Sequence, residues 1–503
     1  MQAQAQAVVI GGGLVGCSVL YHLAKLGWTD CILFERDELT SGSTWHAAAN
    51  IHGLHDTNNI SKLQYYTMQL YEELERETEQ SCGVYKHGYL YLAASEQRAH
   101  QLKIQAAKAK MYGVEFYEVG LAEAKRLHPL LNLDGIYCAM YEADAGKVDP
   151  SGVTHAYAKG ATMRGCKIER FCPVLETNQR ADGSWDVVTE KGTIHAEHVV
   201  NAGGLWAKQV GRMAGLDLPV SPLKHHYLVT ESIPEVAACS FEMPMTVDLE
   251  GFTYMRQWDQ GILVGIYEIE HEHWAMDGAP WTYGMELFNE DFDRIENELA
   301  MSFDRYPCLN EVGIKTWVNG AFTFSPDGNP LVGPVRGLRN YWLACGVMAG
   351  FLQGGGVGKT LAEWMIHGET EADAWSMDIA RYGDFQSNRE YIKQTTGQFY
   401  SRRFVMSYPN EQLPAGRKLK RTPSHRAHVE AGAIFGNSWG LEVPLMFGPK
   451  GFEETPTLNR SNAFEHIRAE HQAVRDACGL LDITGFSRYE VSGDNAAEWL
   501  DKL

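Results

Sequence analysis

Three glycines in the register G-x-G-x-x-G, at Gly11, Gly13 and Gly16, follow directly on the apolar run Ala7-Val8-Val9-Ile10. Beyond them Val15, Val19, Leu23 and Leu26 recur at helical spacing, and Gly27 stands where a helix C-cap glycine belongs. A second apolar run, Cys31 to Phe34, ends in Glu35, with Arg36 beside it. This is a complete βαβ unit, and few folds accommodate one. Glycines let the backbone approach a pyrophosphate. The N-terminus of the helix, opening at Leu14 and Val15, offers free N–H groups and partial positive charge to that dianion. An acid at the end of the second strand suits the ribose hydroxyls. The unit therefore reads as a dinucleotide site, and the fingerprint alone does not separate FAD from NAD.

The rest of the chain bounds what surrounds that unit. Its 503 residues exceed one compact core, so two or three domains are expected. A formal net charge of −20 argues against a nucleic-acid or anionic-membrane partner. No apolar run approaches the ~18 residues of a membrane span. The N-terminal Met1-Gln2-Ala3-Gln4 leads straight into the first strand without a signal-like segment. The expected location is cytoplasmic, or the mitochondrial matrix if a targeting segment has been removed. The ten cysteines form no Cys-x-x-Cys pair, so free thiols and no metal site are expected.

After Glu35 comes Thr40-Ser41-Gly42-Ser43-Thr44-Trp45-His46-Ala47-Ala48-Ala49-Asn50. This segment resembles that of the dimethylglycine and sarcosine dehydrogenase family, within the D-amino-acid-oxidase-like flavoenzymes. The resemblance implies FAD, held covalently through His46, with Gly42, Ser43, Thr44 and Trp45 lining it. Ala49-Asn50 departs from the family pattern, but beyond the histidine. The resemblance continues in Pro173-Val174-Leu175 and in the Asp182-Gly183 turn. It continues again in His198-Val199-Val200-Asn201-Ala202-Gly203-Gly204-Leu205-Trp206, where Val174 is expected near the adenine and Ala202, Gly203 and Trp206 in the closing turn. A third segment, Phe324 to Gly333 and then Asn340 to Gly346, precedes Gly350-Phe351-Leu352-Gln353-Gly354, and a helix is expected from about Val357 to His367. In the family the N-terminus of that helix points at the flavin pyrimidine. Gly354 to Thr360 mimics a nucleoside-triphosphate loop, but Gln353 stands where its first glycine is required.

Between these segments His226–Thr230, Thr253–Arg256 and Ile262–Tyr267 read as strands. By resemblance His225 faces the substrate amine and Tyr254 pairs with that histidine. A histidine can take or relay the amine proton, and the tyrosine can orient it. Arg256, two residues from Tyr254 on the same strand face, is a candidate for the substrate carboxylate. His271-Glu272-His273, among Glu268, Glu270 and Trp274, is expected to be a solvated strand end rather than a metal site.

The expected fold is an α/β, Rossmann-like FAD domain (1–90, 145–215 and 323–385) with an inserted α+β substrate domain (91–144 and 216–322) whose sheet covers the flavin. Residues 386–470 read as a connecting region. From 471 to 503, Cys478-Gly479-Leu480-Leu481-Asp482 and Val491-Ser492-Gly493-Asp494 resemble the start of a folate-binding aminomethyltransferase domain, expected to be truncated. Tetrahydrofolate enters only if a longer chain completes that domain. The implied reaction is oxidative N-demethylation of a small N-methylated amino acid, foremost N,N-dimethylglycine to sarcosine. The electron acceptor is oxygen or an electron-transfer protein, and a homo-oligomer is compatible with this reading. Sarcosine or another N-methyl amine, a flavin hydroxy-acid dehydrogenase on the same scaffold, and a flavin-containing scaffolding subunit remain alternatives.

Overall fold

The computed structural model describes residues 3–503, which divide after residue 406 into two compact units. The dinucleotide unit forms as its sequence dictates. Strand β1 (Gln4–Ile10) leads through the glycine turn into helix α1 (Leu14–Lys25), and strand β2 (Cys31–Phe34) pairs parallel with β1. Gly192–Asn201 lies parallel to β1 on its other side, followed by Tyr341–Cys345. Lys167–Glu169 flanks β2.

Strand β1 carries an unbroken apolar run because both faces of this sheet are covered. Ala7 and Val9 join one core with α1 and the helices Asn58–Thr78, Pro150–Met163 and Gly350–His367. Val8 and Ile10 join a second core beneath the hairpin Val174–Gln179/Trp185–Thr189. Gly183 turns that hairpin at φ 93°, as Asp182-Gly183 predicted. Leu26, expected on the buried face of α1, is exposed because the helix ends at Lys25.

The helix expected from Val357 begins seven residues earlier, at Gly350. Gly354, Gly355 and Gly356 disfavour helix by intrinsic propensity, but here they let three helices approach closely. A Cβ on Gly355 would sit 2.8 Å from Tyr157 Oη, and one on Gly356 would collide with Leu63. Thr67 Oγ1 accepts from the Gly356 N–H at 2.9 Å. Gly356→Ala should therefore overpack this contact. We expect a loss of about 1–3 kcal/mol, read as a lowered midpoint for thermal unfolding of the first unit.

The inserted sheet has eight strands. In spatial order they are Ile314–Phe324, Ser221–Thr230, Gly261–Ile266, Thr253–Trp258, Met245–Asp248, Tyr89–Ala93, Cys138–Glu142 and Phe116–Val119. Pairing is antiparallel except between Met245–Asp248 and Tyr89–Ala93.

The stretch 386–470 does not behave as a connector throughout. Helix Arg389–Ser401 buries Ile392, Thr396 and Tyr400, so the first unit extends to 406. The second unit contains a three-stranded sheet (Lys420–Arg421, Leu441–Phe447 and Ala433–Ser438), in which Arg417 clamps the buried Glu442 through bonds of 2.7 and 2.6 Å. Its helices Phe464–Asp476 and Ala496–Leu500 bury no residue, and Leu480, Leu481, Phe486 and Tyr489 are exposed. All ten cysteines are free thiols. Among the described residues no helix is long and apolar enough to cross a membrane.

Candidate active site

The glycine turn is built around a carboxylate. Glu35, at the end of β2, accepts from the Gly12 N–H at 2.7 Å and from the Asp37 N–H at 2.9 Å, and burial pushes its pKa up. Gly11 adopts φ 115°, which only glycine takes without strain, and packs against the carbonyl of Ala202. Gly13 caps α1 with no side-chain acceptor. Thr44 Oγ1 is 3.2 Å from the Leu14 N–H. Ala349 likewise leaves the start of helix Gly350–His367 without a side-chain cap. Thr44 thus takes the Leu14 N–H, and neither helix has a side-chain cap for the remaining N–H groups of its first turn. Arg36 stacks on the Trp206 ring at 4.0 Å and donates to the carbonyls of Trp281 and Tyr283. Gly42 packs on the same indole. Val174 is buried at the start of its strand.

The segment from Thr40 to Asn50 runs from this turn to the inserted sheet. Ser43 Oγ donates to the Ala321 carbonyl at 2.6 Å. The His46 ring lies against Gly320, where no other side chain would fit. Burial holds the His46 imidazole down to about 4, so it is neutral near pH 7. His46 Nε2 and Trp45 Nε1 are both buried without a hydrogen-bond partner, and so is Gln353 Oε1 at the start of the long helix. Buried polar atoms are rarely left so. Orphaned atoms beside an uncapped glycine turn fit a bound dinucleotide with a polar ring system.

Sheet register connects His46 to the other expected residues. Gly320 pairs with His225 across adjacent strands. Tyr227, Gly265 and Tyr254 form a row across three strands, so their side chains share a face. His225 lies two residues before Tyr227, Tyr267 two after Gly265, and Arg256 two after Tyr254. All six positions therefore share the face that Gly320 presents to His46.

Tyr254 does not pair with His225 as expected. The two stand two strands apart, about 10 Å, and Tyr267 fills the gap. Its ring centroid lies 4.4 Å from that of His225 and 6.3 Å from that of Tyr254. His225 Nδ1 instead lies 2.9 Å from Tyr400 Oη. The imidazole is only half-buried, yet protein desolvates it enough to pull its pKa down to about 3.

Arg256 is not a solvated charge. It is buried, its Nη2 donates to the Ala48 carbonyl at 3.0 Å, and its guanidinium lies 4.6 Å from the Trp258 ring centroid. Among the described residues no carboxylate pairs with it, and its Nε has no partner. Burial lowers its pKa. A cation in that position is costly unless an anion meets it.

Residues 268–273 also differ from a solvated strand end. Glu268 is fully buried, and His273 Nδ1 lies 2.8 Å from Ser221 Oγ. Tyr267, Glu268, Tyr400 and Arg403, whose Nε is buried and unpartnered, were not singled out from sequence. Two of them lie on a helix and loop far along the chain, and no local motif marks them.

Residues 6–364 match the family model described as FAD dependent oxidoreductase, 367–422 its central-domain model, and 424–503 the GCVT N-terminal domain. The chain is 38% identical to mitochondrial dimethylglycine dehydrogenase of Rattus norvegicus, over 99% of this chain and 59% of that protein. It is 35% identical to mitochondrial sarcosine dehydrogenase of Mus musculus, over 99% of this chain and 58% of that one. The chain thus spans under two thirds of the length of these relatives. Among solved structures, L-proline dehydrogenase from P. horikoshii superposes with a TM-score of 0.66 at 26% identity, covering 76% of this chain and 98% of that chain.

Proposed function

This chain belongs to the family of FAD dependent oxidoreductases, and we propose that it oxidises an N-methyl group of a small amino acid, foremost N,N-dimethylglycine. The observation that carries this reading is Arg256, a buried cation without an anion, on the sheet face that also holds His225. An amino acid supplies both of the groups these residues lack.

FAD, when bound, supplies the two-electron acceptor for oxidation of the carbon next to nitrogen. The glycine turn and the N-terminus of α1 would hold its pyrophosphate, Glu35 its ribose, and the uncapped start of helix Gly350–His367 its pyrimidine edge. His46 is proposed as the covalent anchor. Its neutral imidazole and unpartnered Nε2 support that role. Replacing His46 by Ala should leave the acid-precipitated protein colourless, where the parent pellet stays yellow. A yellow pellet from the variant would exclude His46 as the anchor.

Arg256 takes the substrate carboxylate in a charge-assisted bond. His225, neutral near pH 7, accepts the N–H of the substrate ammonium and fixes the nitrogen. Tyr254 and Tyr267, on the same face between them, present aromatic surface that excludes water. The amine must lose its proton before its lone pair can stabilise the electron-poor carbon left by oxidation. Water then splits the iminium into sarcosine and formaldehyde. The likeness to a sarcosine dehydrogenase makes sarcosine the second substrate to test. Both named relatives are mitochondrial proteins, so the mitochondrial alternative stands beside the cytoplasmic one. Tetrahydrofolate as formaldehyde acceptor rests on the match of 424–503 alone.

The direct test supplies methylated glycines and a redox dye to the flavin-loaded chain. Dye reduction with one formaldehyde per turnover is expected, fastest for N,N-dimethylglycine. Absence of turnover with every N-methyl amine would overturn the proposal.

A further inference from the structure

Joined to His225 is a chain of buried polar groups that reaches solvent only at its far end, through Asp291. Tyr400, on helix Arg389–Ser401, places its Oη 2.9 Å from His225 Nδ1 and donates its proton to Glu268 Oε2 at 2.8 Å. Glu268 Oε1 accepts from Arg294 Nη1 at 2.7 Å, and Arg294 Nη2 donates to His226 Nδ1 at 2.9 Å. Asp291 holds Arg294 Nε from outside at 3.2 Å. Burial works to protonate Glu268, but the contact with His226 and the Arg294 guanidinium at 2.7 Å outweigh it and hold the carboxyl below its ordinary range. Glu268 is therefore an acceptor only.

Each proton in this chain then has one place to go. A guanidinium has only donors, so Glu268 is the acceptor for Arg294 and for Tyr400. The hydroxyl of Tyr400 has one hydrogen, and Glu268 takes it. Tyr400 Oη can only accept from His225, which places the histidine hydrogen on Nδ1. The Nε2 atom of a neutral ring is left with its lone pair exposed, and it bonds to no described residue.

We propose that Glu268, acting through Tyr400, fixes His225 in the Nδ1–H tautomer so that Nε2 always presents a lone pair to the substrate amine. The proposal rests on the reading of His225 as the residue that meets that amine. Tyr400 and Glu268 are positioning residues, since neither needs to touch the substrate. Without them the imidazole could present an N–H to an ammonium N–H, and the two donors would repel. The arrangement follows the logic by which a buried carboxylate selects the useful histidine tautomer in hydrolases, with a tyrosine hydroxyl interposed. It also accounts for a fully buried carboxylate in an otherwise solvated-looking acidic stretch.

The test is the ¹⁵N spectrum of the full chain labelled at histidine, with the His225 signals assigned by their loss in His225→Gln. The parent protein should show an unprotonated Nε2 and a protonated Nδ1 from pH 6 to 9. Tyr400→Phe keeps the ring packed against Phe324 and the Glu268–Arg294 pair intact. It should move both shifts toward the average of two exchanging tautomers and lower kcat by about tenfold or more, with KM little changed. A protonated Nε2 in the parent overturns the proposal. So do unchanged shifts, or an unchanged kcat, in Tyr400→Phe. Glu268→Gln is the second variant. Its amide can donate to Tyr400 and reverse the hydroxyl, so the tautomer should switch to Nε2–H. The spectra need no substrate. If they behave as described while no N-methyl amine is turned over, the tautomer assignment stands and the substrate reading falls.

Discussion

His225→Ala should lower kcat/KM for N,N-dimethylglycine by about 100- to 10,000-fold, the range for removing a positioned acid–base group, while leaving the flavin content and unfolding midpoint unchanged. The imidazole is half-buried, and its removal breaks one hydrogen bond, to Tyr400, together with ring contacts to Tyr267 and Phe322. The pH profile of the parent enzyme gives an independent check. An exposed histidine would titrate near pH 6.5 and impose a limb on activity there. Burial lowers the pKa of His225 to about 3. A histidine whose pKa is lowered stays neutral at every pH above the new value, so its acceptor capacity is constant from pH 5 upward. The only rise of kcat/KM with pH should come from loss of the substrate's own proton, and it should shift when amines of different basicity are compared. A limb fixed near 6.5 for all substrates would contradict the buried, neutral state.

What could be read from the sequence, and what could not, follows from the range of the interactions. Gly11, Gly13, Gly16 and Glu35 act within one βαβ unit, so spacing alone located them, and Glu35 does bond the turn it was expected to flank. His46 came from resemblance, and its neighbour Gly320 came from nothing local. That glycine sits on a strand 274 residues away, and only sheet register sets it beside His225. Tyr400 lies 175 residues from His225 in a stretch whose prolines and basic residues resembled a linker. Its helix is recognisable only once Ile392, Thr396 and Tyr400 are seen to be buried. Glu268 failed for the opposite reason. Alternating acids at 268, 270 and 272 look like a wet strand end, and the buried member is distinguished only by Arg294, which arrives from a separate helix. The helix Gly350–His367 shows tertiary packing overriding propensity. Three glycines that weaken a helix in isolation are what allow α1 and Asn58–Thr78 to approach it.

Arg256→Met should raise KM for N,N-dimethylglycine far more than it lowers kcat. The guanidinium is buried among Tyr89, Tyr227 and Tyr254, donating only to the carbonyls of Ala48 and Gln257, with its Nε free. Losing a charge-assisted bond in such a place costs about 3 kcal/mol, a factor of about 100 in kcat/KM. Trimethylamine has the methylated nitrogen but no carboxylate. Its slower turnover should be nearly the same in parent and variant, so the preference for the amino acid collapses while the chemistry survives. Stability should hold or rise, because methionine fills the volume without leaving a buried charge unpaired. This combination separates a binding residue from a structural one, since a structural arginine would take stability and both substrates down together. Arg403 is the rival cation. It lies near Tyr267, toward the other end of the same wall, and its Nε is also buried and unpartnered. If KM is unmoved in Arg256→Met but rises in Arg403→Met, the carboxylate lies toward helix Arg389–Ser401. The substrate would then be reversed along the sheet, with its nitrogen still at His225.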